Sequence, residues 1–195
     1  IDYLTRFLKE PLTMEMKKFV YQKLAEVYEK TNMFKEAGKM YENMAGQSIT
    51  FVEKIKHNMR SVESYAKGGD ATEADSAMKK AMAEANTVQK EEIYQQTLRI
   101  YKNQAETFEK TGKRANAVQI YEKLAEMRIT PSEREAIKEK LRGMYESLGR
   151  RKELQSLERK PITSSNIDGT EFRQRPKTQK PGTISFDDDL GIARF

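Results

Sequence analysis

One segment of this chain returns almost unchanged 80 residues later. Ala25-Glu26-Val27-Tyr28-Glu29-Lys30-Thr31-Asn32 becomes Ala105-Glu106-Thr107-Phe108-Glu109-Lys110-Thr111-Gly112, and the similarity continues from Ala37, Tyr41, Glu42 and Ala45 into Ala117, Tyr121, Glu122 and Ala125. Repetition with a unit of roughly 20 to 50 residues is typical of solenoids, in which each unit buries its apolar face against its neighbours. We therefore expect a stack of similar units.

Four aromatic residues give the length of the unit. Tyr28, Tyr65, Phe108 and Tyr145 follow one another at intervals of 37, 43 and 37 residues, each near the end of an apolar-periodic segment. This rhythm predicts a duplicated block of two units, in which the return helix of the second pair or the helix after it is about six residues longer. We expect the four rings to fill space between helix pairs and not to contact a ligand.

Bulk composition favours helices and a reducing compartment. Apolar residues make up 37% of the chain and charged residues 34%, which suits a slim helical array with much exposed surface. Because the chain has no cysteine, disulfides, thiolate zinc sites and cysteine nucleophiles are excluded. We expect a cytoplasmic protein without a membrane span, because no segment approaches the roughly 20 apolar residues that a span requires. No signal peptide is visible either.

Capping and turn residues divide the chain into helices. Thr13 can cap a helix, and Thr50 with Glu53, Asp70 with Glu73, and Thr130 with Glu133 have the spacing of capping boxes, the last with Pro131 at the first helical position. Asn32, Gly68-Gly69, Gly112 and Gly149 can take a positive φ after a helix. These signals predict helices near 1–9, 13–31, 34–46, 50–67, 71–86, 88–111, 114–128, 131–148 and 150–159.

The composition changes after residue 160, which predicts three parts. Residues 1–12 form an N-terminal helix or a truncated element, and residues 13–160 form the helical repeat domain. Residues 161–195 have few apolar residues and no period, so we expect a disordered tail. The tail ends in an acidic-hydrophobic motif that comprises Phe186, Asp187, Asp188, Asp189, Leu190, Ile192 and Phe195. This motif is predicted to dock on a partner or on the basic repeats, although a tail without any partner has the same composition.

The repeat unit resembles the tetratricopeptide repeat, a helix pair of about 34 residues. The matching positions in the first unit are Tyr21, Leu24, Ala25, Tyr28, Asn32, Phe34, Ala37, Tyr41 and Met44, and those in the third are Tyr101, Gln104, Ala105, Phe108, Gly112, Ala117, Tyr121 and Leu124. The second unit has Asn58 and Ser61 in place of large apolar residues, and the fourth has Arg142 in place of a small one. The resemblance implies an all-α, right-handed solenoid of about four antiparallel helix pairs, against the alternative of a generic helical bundle.

The resemblance also implies a concave groove lined by the first helix of each pair. Its predicted residues are Phe19, Gln22, Glu26 and Lys30 from the first unit, Lys56, Met59, Glu63 and Lys67 from the second, and Arg99, Lys102, Glu106 and Lys110 from the third. Members of the family that bind chaperones hold a C-terminal carboxylate with Lys and Asn where this chain has Gln22 and Glu26, so that activity is not expected. A groove of this mixed composition suits an amphipathic or acidic-hydrophobic segment, unless it is merely solvated.

Reactive groups are scarce, so we expect no enzyme, no cofactor and no metal. His57 is the single histidine, in a polar stretch that predicts an exposed helical residue. Thr111-Gly112-Lys113 lacks the other residues of a phosphate-binding loop. Asp187-Asp188-Asp189 lacks the glycine turn and the further oxygen ligands of a calcium loop. Glu26 with Lys30 and Glu106 with Lys110 have the i,i+4 spacing of solvated helix pairs.

Charge distribution leaves two kinds of partner open. Residues 1–92 carry 15 basic and 15 acidic residues, whereas residues 93–160 carry 16 and 10. A basic second half can meet an acidic protein, RNA or an anionic membrane. The sequence therefore predicts an adaptor that binds a peptide or helix in its groove and tethers through its tail. The alternative is an RNA- or ribosome-associated protein that binds through residues 93–160.

Overall fold

The structure is a computed structural model that describes residues 1–159, and within this range every regular element is an α-helix. The helices are α1 (Asp2–Phe7), α2 (Met14–Lys30), α3 (Phe34–Gly46), α4 (Phe51–Gly68), α5 (Ala71–Ala83), α6 (Thr87–Lys110), α7 (Arg114–Glu126), α8 (Pro131–Ser147) and α9 (Arg151–Arg159). Successive helices from α2 onward pack as the pairs α2–α3, α4–α5, α6–α7 and α8–α9. The predicted all-α class and helix-pair pattern are confirmed.

Helix α6 contains the extra residues that the 43-residue interval predicts. It has 24 residues, whereas the first helices of the other pairs have 17 in α2, 18 in α4 and 17 in α8. Its start also carries a capping box that the sequence analysis did not identify, in which Asn86 and Gln89 each bond the other's backbone N–H. The long helix therefore begins one residue before its predicted start.

One C-terminal motif explains the spacing of the four aromatic residues. Asn32, Gly69, Gly112 and Gly149 have φ values of 58°, 78°, 71° and 67°, as predicted for these positions. In each turn the next amide donates to the carbonyl of the aromatic residue, at 2.8 Å for Tyr28 and 2.9 Å for Tyr65, Phe108 and Tyr145. This is the long bond of a Schellman motif, which satisfies a carbonyl left free at the helix end. The aromatic residues therefore repeat because they stand at one fixed distance from each turn.

Three of those four side chains are buried as predicted, and Tyr28 is not. Tyr65, Phe108 and Tyr145 expose 1%, 3% and 5% of their surface and belong to one apolar core that runs from α4 to α9. Tyr28 is only half-buried. It lies in the first pair, where α2 packs mainly against α3 and also contacts the short helix α1.

Two of the three predicted capping boxes are only half formed. Thr130 and Glu133 bond reciprocally, as predicted. Thr50 and Asp70 accept from the N3 amides of their helices, but the acidic side chains do not return the bond. The Glu53 carboxylate instead lies 3.4 Å from Lys18, and Asp70 also pairs with Lys35 at 2.9 Å. Both bonds connect the first helix pair to the second.

Small polar residues allow α4 to approach α3 very closely. The buried Ser61 hydroxyl donates to the Gly38 carbonyl at 2.9 Å. The Tyr65 ring lies against Gly38, where an added Cβ would be only 2.8 Å from the ring. Asn58 and Ser64 are also buried. The second unit therefore departs from the family pattern because α4 packs directly against the backbone of α3.

Candidate partner-binding groove

A concavity of about 290 Å³ opens between α2, α3 and α4, and we refer to it as the α2–α4 groove. It is lined by Gln22, Glu26 and Glu29 from α2, by Tyr41 and Met44 from α3, and by Lys56, His57 and Arg60 from α4. Tyr41 and Met44 are buried and form its floor, because they also belong to the small apolar cluster of the first helix pair. The charged residues stand on the two walls.

The carboxylates on the α2 wall are already hydrogen-bonded within the protein. Glu29 accepts from the Tyr41 hydroxyl and from the Ser64 hydroxyl, both at 3.3 Å. Glu26 accepts from Lys23 at 3.0 Å and from Gln22 at 3.1 Å. These bonds hold the pKa of Glu26 below its usual value, and the bond from Lys23 has a larger effect than the bond from Gln22. Neither carboxylate needs the cations on the opposite wall.

The cations on the α4 wall lack such compensation. Lys56 is exposed, and no carboxylate of residues 1–159 pairs with it. Arg60 faces the Tyr41 hydroxyl, where burial raises the pKa of Tyr41 and the Arg60 charge opposes that rise. Two positive charges therefore stand at a concave surface without an anionic partner of their own.

His57 is half-buried and not exposed as the sequence analysis expected. Burial lowers the pKa of His57, and the nearby charge of Lys56 lowers it further. The other charged groups that act on this ring are Glu53 on the same helix, Lys18 on α2 and Arg60. The imidazole therefore lies beside two cations that disfavour its protonated form, which makes its protonation sensitive to any anion that enters the groove.

An exposed aromatic ring adjoins the α2 wall. Phe19 exposes 60% of its surface and lies three residues before Gln22, on the same face of α2. The Lys23 ammonium is 5.7 Å from the centre of the Phe19 ring, within the range of a cation–π contact. The groove thus combines an apolar contact at one end with positive charge on its far wall.

Comparison with known protein families identifies the repeat. Residues 100–135 match the family model of the tetratricopeptide repeat. This stretch is therefore similar to a tetratricopeptide repeat. The matched stretch covers the second half of α6, all of α7 and the first turn of α8, which is the third unit of the array. Comparisons with curated proteins and with solved structures gave no significant match.

The tetratricopeptide-like array brings together only some of the twelve predicted groove residues. Gln22, Glu26 and Lys56 line the α2–α4 groove, and Phe19 lies one turn before Gln22 on α2. Arg99 instead borders a separate depression of about 800 Å³ along α6. The remaining predicted residues do not line the α2–α4 groove, and they are Lys30, Met59, Glu63, Lys67, Lys102, Glu106 and Lys110.

Four of these remaining residues have unpredicted partners or burial. Met59 exposes only 7% of its surface and packs in the core, so Arg60 occupies the surface position next to it. Lys67 pairs with Glu63 at 2.8 Å, and Lys102 pairs with Glu133 of α8 at 2.5 Å. The Glu26 carboxylate likewise pairs with Lys23, three residues before it, and not with Lys30.

Five lining residues were missing from the prediction, namely Glu29, Tyr41, Met44, His57 and Arg60. Tyr41 and Met44 were named only as positions of the repeat pattern, because that pattern does not show where the second helix of a pair forms a groove floor. The other three depend on how α4 is rotated. The sequence contained a signal for that rotation, since Asn58, Ser61 and Ser64 lie on one side of α4 and polar residues of this size permit close helix contact.

Some predicted features lie outside the described residues. They are the predicted tail from residue 161 onward and its motif, which comprises Phe186, Asp187, Asp188, Asp189, Leu190, Ile192 and Phe195. Within residues 1–159, no cluster of three or more His, Asp or Glu side chains could hold a metal ion. The helices of the same range include none that is both long and apolar enough to span a membrane.

Proposed function

We propose that this chain is a non-catalytic adaptor that binds a peptide or helix in the α2–α4 groove and tethers a second molecule through residues 184–195. Tetratricopeptide repeats mediate protein–protein interaction in general. One observation carries the assignment to this particular surface. The groove has two cations without an ion-pair partner among residues 1–159 on one wall, and an exposed Phe19 beside the other.

The arrangement favours a ligand that carries both negative and apolar side chains. A carboxylate of the ligand would meet Lys56 and Arg60, while an apolar side chain would contact Phe19. Glu26 and Glu29 would oppose such a ligand less than their charge suggests, because donors inside the protein already occupy both carboxylates. Complementary charge of this kind sets specificity and association rate more than affinity.

The proposal can be tested by selecting peptides from a random display library on the full chain and measuring their affinity. We expect acidic-hydrophobic peptides, and a variant that combines Lys56→Glu with Arg60→Glu should bind them at least about 10-fold more weakly, equivalent to about 1.4 kcal/mol. The matched control combines Lys110→Glu with Lys113→Glu. Both control residues are exposed and lie outside the groove.

The position of His57 gives an independent readout of the same binding event. Since it is the only histidine, its ring resonances can be followed by NMR without assignment ambiguity. A carboxylate bound beside Lys56 should raise the pKa of His57, because it offsets the positive charge that now lowers it. Equal loss of affinity in the groove variant and in the control variant would contradict the proposal.

The same experiments distinguish the RNA-binding alternative. Binding to RNA through residues 93–160 would weaken steeply with salt, since each phosphate contact releases counterions. It would also be lost in the Lys110→Glu, Lys113→Glu variant and retained in the groove variant. A complex in the groove with a large apolar contact should depend only mildly on salt.

A further inference from the structure

The positive charge of the chain is concentrated at two turns in the second half of the array. Residues 110–116, at the turn between α6 and α7, carry three cations and no acidic residue, whereas residues 147–153, between α8 and α9, carry three cations and one acidic residue. These two segments therefore have a net charge of +5, six cations against one carboxylate, and the whole chain has +6. The six cations are Lys110, Lys113, Arg114, Arg150, Arg151 and Lys152.

The equivalent turns of the first block carry no net charge. Residues 30–36 and 67–73 precede the two basic segments by 80 residues, and together they contain three cations and three acidic residues. The exchanges that introduce a cation are Met33 to Lys113, Phe34 to Arg114, Asp70 to Arg150, Ala71 to Arg151 and Thr72 to Lys152. Since the first block forms the same turns without these cations, the fold does not require them.

Both basic turns lie at one edge of the array, because each connects the first helix of a pair to the second. We call residues 110–116 and 147–153 the basic edge. In the first block, a bond of 2.9 Å between Lys35 and Asp70 joins the equivalent turns. In the second, Arg150 lies 3.5 Å from Glu122, which is eight residues, or about 12 Å, along α7 from Arg114. The two turns are therefore close enough to contact one surface together.

The basic edge is open within the part of the chain that the structure describes. Residues 110–115 are all exposed. An added Cβ at Gly112 or Gly149 would meet nothing within 4 Å among residues 1–159, whereas the turn at Gly69 is covered by the side chain of Asn116. The turns of the second block therefore present their side chains to an external surface.

The described array does not compensate most of these cations. All of them except Arg150 lack an ion-pair partner among residues 1–159. Helix α7 begins without a side-chain cap and without an acidic residue in its first turn, so Lys113 and Arg114 stand at the positive end of its dipole. Arg151 and Lys152 occupy the first turn of α9. Cations at that end of a helix disfavour folding, so their accumulation points to an anionic surface outside the chain.

We propose that the basic edge docks peripherally on a membrane surface that contains anionic lipids. Such a surface presents negative charge over a wide area, so both turns can meet it at once. Each Lys or Arg held near an anionic bilayer raises the partitioning of a protein by roughly fivefold. Five unpaired cations should therefore favour anionic over neutral lipid by on the order of 1000-fold.

Two features favour lipid over RNA as the anionic surface. Single-stranded RNA is bound largely by stacking of its bases on exposed aromatic rings. The basic edge contains no aromatic residue, and Phe108 and Tyr145, which precede its two turns, are buried. Leu148, in contrast, exposes 39% of its surface beside the cations. An apolar side chain next to basic ones matches the boundary between lipid headgroups and acyl chains.

Sedimentation of the full chain with lipid vesicles tests the proposal. Vesicles of phosphatidylserine and phosphatidylcholine should bind the protein, and vesicles of phosphatidylcholine alone should not. Added salt should weaken the binding, because it screens exposed charges. The variant that combines Arg114→Glu with Arg151→Glu should bind at least about 25-fold more weakly. Both changes place a carboxylate at a helix start, which favours folding, and circular dichroism checks this.

A matched control variant combines Lys39→Glu with Lys90→Glu. Both residues are exposed and lie outside the basic edge, and the change in net charge equals that of the edge variant. The control should retain most of the vesicle binding. Equal loss in the two variants would show an effect of net charge alone and would overturn the proposal.

A fluorescent label shows which part of the protein meets the lipid. The chain has no cysteine, so Leu148→Cys provides a single site for an environment-sensitive dye. On anionic vesicles the emission of this dye should shift to the blue and intensify, whereas the same dye at Lys39→Cys should not respond. A response at Lys39→Cys alone would place the contact on another face and refute the basic edge.

Two further outcomes would overturn the proposal. Equal binding to neutral and anionic vesicles would remove charge as the cause. Binding of single- or double-stranded RNA at a lower protein concentration than the vesicles require, lost in the edge variant, would assign the basic edge to nucleic acid. The proposed adaptor function is tested separately, since the edge variant should bind a peptide selected for the α2–α4 groove as the wild type does.

Discussion

Substitution of Gly38 by alanine tests the close approach of α3 and α4 that builds the groove. Gly38 lies inside α3, and a Cβ at this position would be 2.8 to 2.9 Å from three atoms of the Tyr65 ring. The ring cannot easily move away, because it is 1% exposed and its hydroxyl donates to Glu42 at 3.4 Å. We therefore expect Gly38→Ala to be destabilising, although alanine is the better helix former.

The expected magnitude follows from two opposing contributions. Replacing glycine by alanine inside a helix is favourable by about 1 kcal/mol. Forcing an extra carbon into a packed contact costs typically about 1–3 kcal/mol, and contact with a buried ring belongs at the upper end of that range. The net change in the free energy of unfolding should be a loss of about 1–2 kcal/mol, which corresponds to a fall in melting temperature of about 2–8 °C for a domain of this size.

Gly143 provides a matched control for the helix propensity contribution. It is an exposed residue inside α8, and a Cβ there would meet nothing within 4 Å. Gly143→Ala should therefore stabilise the protein by up to about 1 kcal/mol. Urea denaturation of the full chain, followed by circular dichroism, should separate the two variants by about 2–3 kcal/mol at similar slopes.

A double-mutant cycle identifies the Tyr65 ring as the cause. In a Tyr65→Leu background the ring is absent, so Gly38→Ala should cost little and the coupling energy between the two positions should be about 2 kcal/mol. Gly38→Ala should also shift the His57 resonances, since α3 provides the floor of the groove and α4 one wall. If Gly38→Ala stabilises the protein as much as Gly143→Ala does, α3 and α4 do not approach each other this closely.

Two further predictions concern a buried hydroxyl and an ion pair. Thr97 is fully buried, and within residues 1–159 its hydroxyl has no hydrogen-bond partner, so Thr97→Val should raise the free energy of unfolding by about 1 kcal/mol. Ser61→Ala removes the bond to Gly38 and should lower the free energy of unfolding by a similar amount. If urea denaturation shows that both substitutions change the stability in the same direction, this reasoning is wrong. Hydrogen bonds from Lys102, which has the largest effect, and from Thr130 hold the pKa of Glu133 at about 2. Because this pKa lies below the ordinary value of 4.5, the stabilisation that the ionised Glu133 contributes is complete above pH 4.5 and is lost as the pH falls towards 2. An NMR titration should show the pKa of Glu133 rising in Lys102→Met and unchanged in the control Lys110→Met.

The sequence was sufficient to predict the helices because their ends are encoded locally. Each turn within a helix pair has a residue that adopts a positive φ, and each aromatic residue of the ladder stands at a fixed distance before it. The lengthened α6 follows directly from the 43-residue interval. Cap side chains such as Thr130 act within one turn of their own helix, so reading them requires no knowledge of tertiary contacts.

The groove was harder to predict, because it depends on contacts between helices. Periodicity places Met59 on the same stripe as Lys56 and Glu63, yet the buried side of α4 is wide enough to include Met59. That width arises because α4 is packed against both α3 and α5. The half-formed box at Thr50 has the same origin, since Lys18 of the preceding pair binds Glu53 instead.

The duplicated block shows how the charged residues of the groove differ from their equivalents in the second half of the array. Eighty residues after Glu29, Tyr41 and Arg60 stand Glu109, Tyr121 and Lys140, and there the cation binds both partners directly, at 2.8 Å and 2.9 Å. In the first block the Ser64 hydroxyl donates to Glu29, whereas Met144 at the equivalent position has no donor to offer.

Two further groove positions also lose their polar side chains in the second block. The equivalents of Lys56 and His57 are Ala136 and the buried Ile137, so the second block lacks both the free cation and the imidazole. In the second copy of the duplicated arrangement, Lys140 of α8 thus pairs with Glu109 of α6 and bonds Tyr121 of α7. The other copy satisfies its carboxylate through hydroxyl groups, which leaves its positive charge available to a ligand.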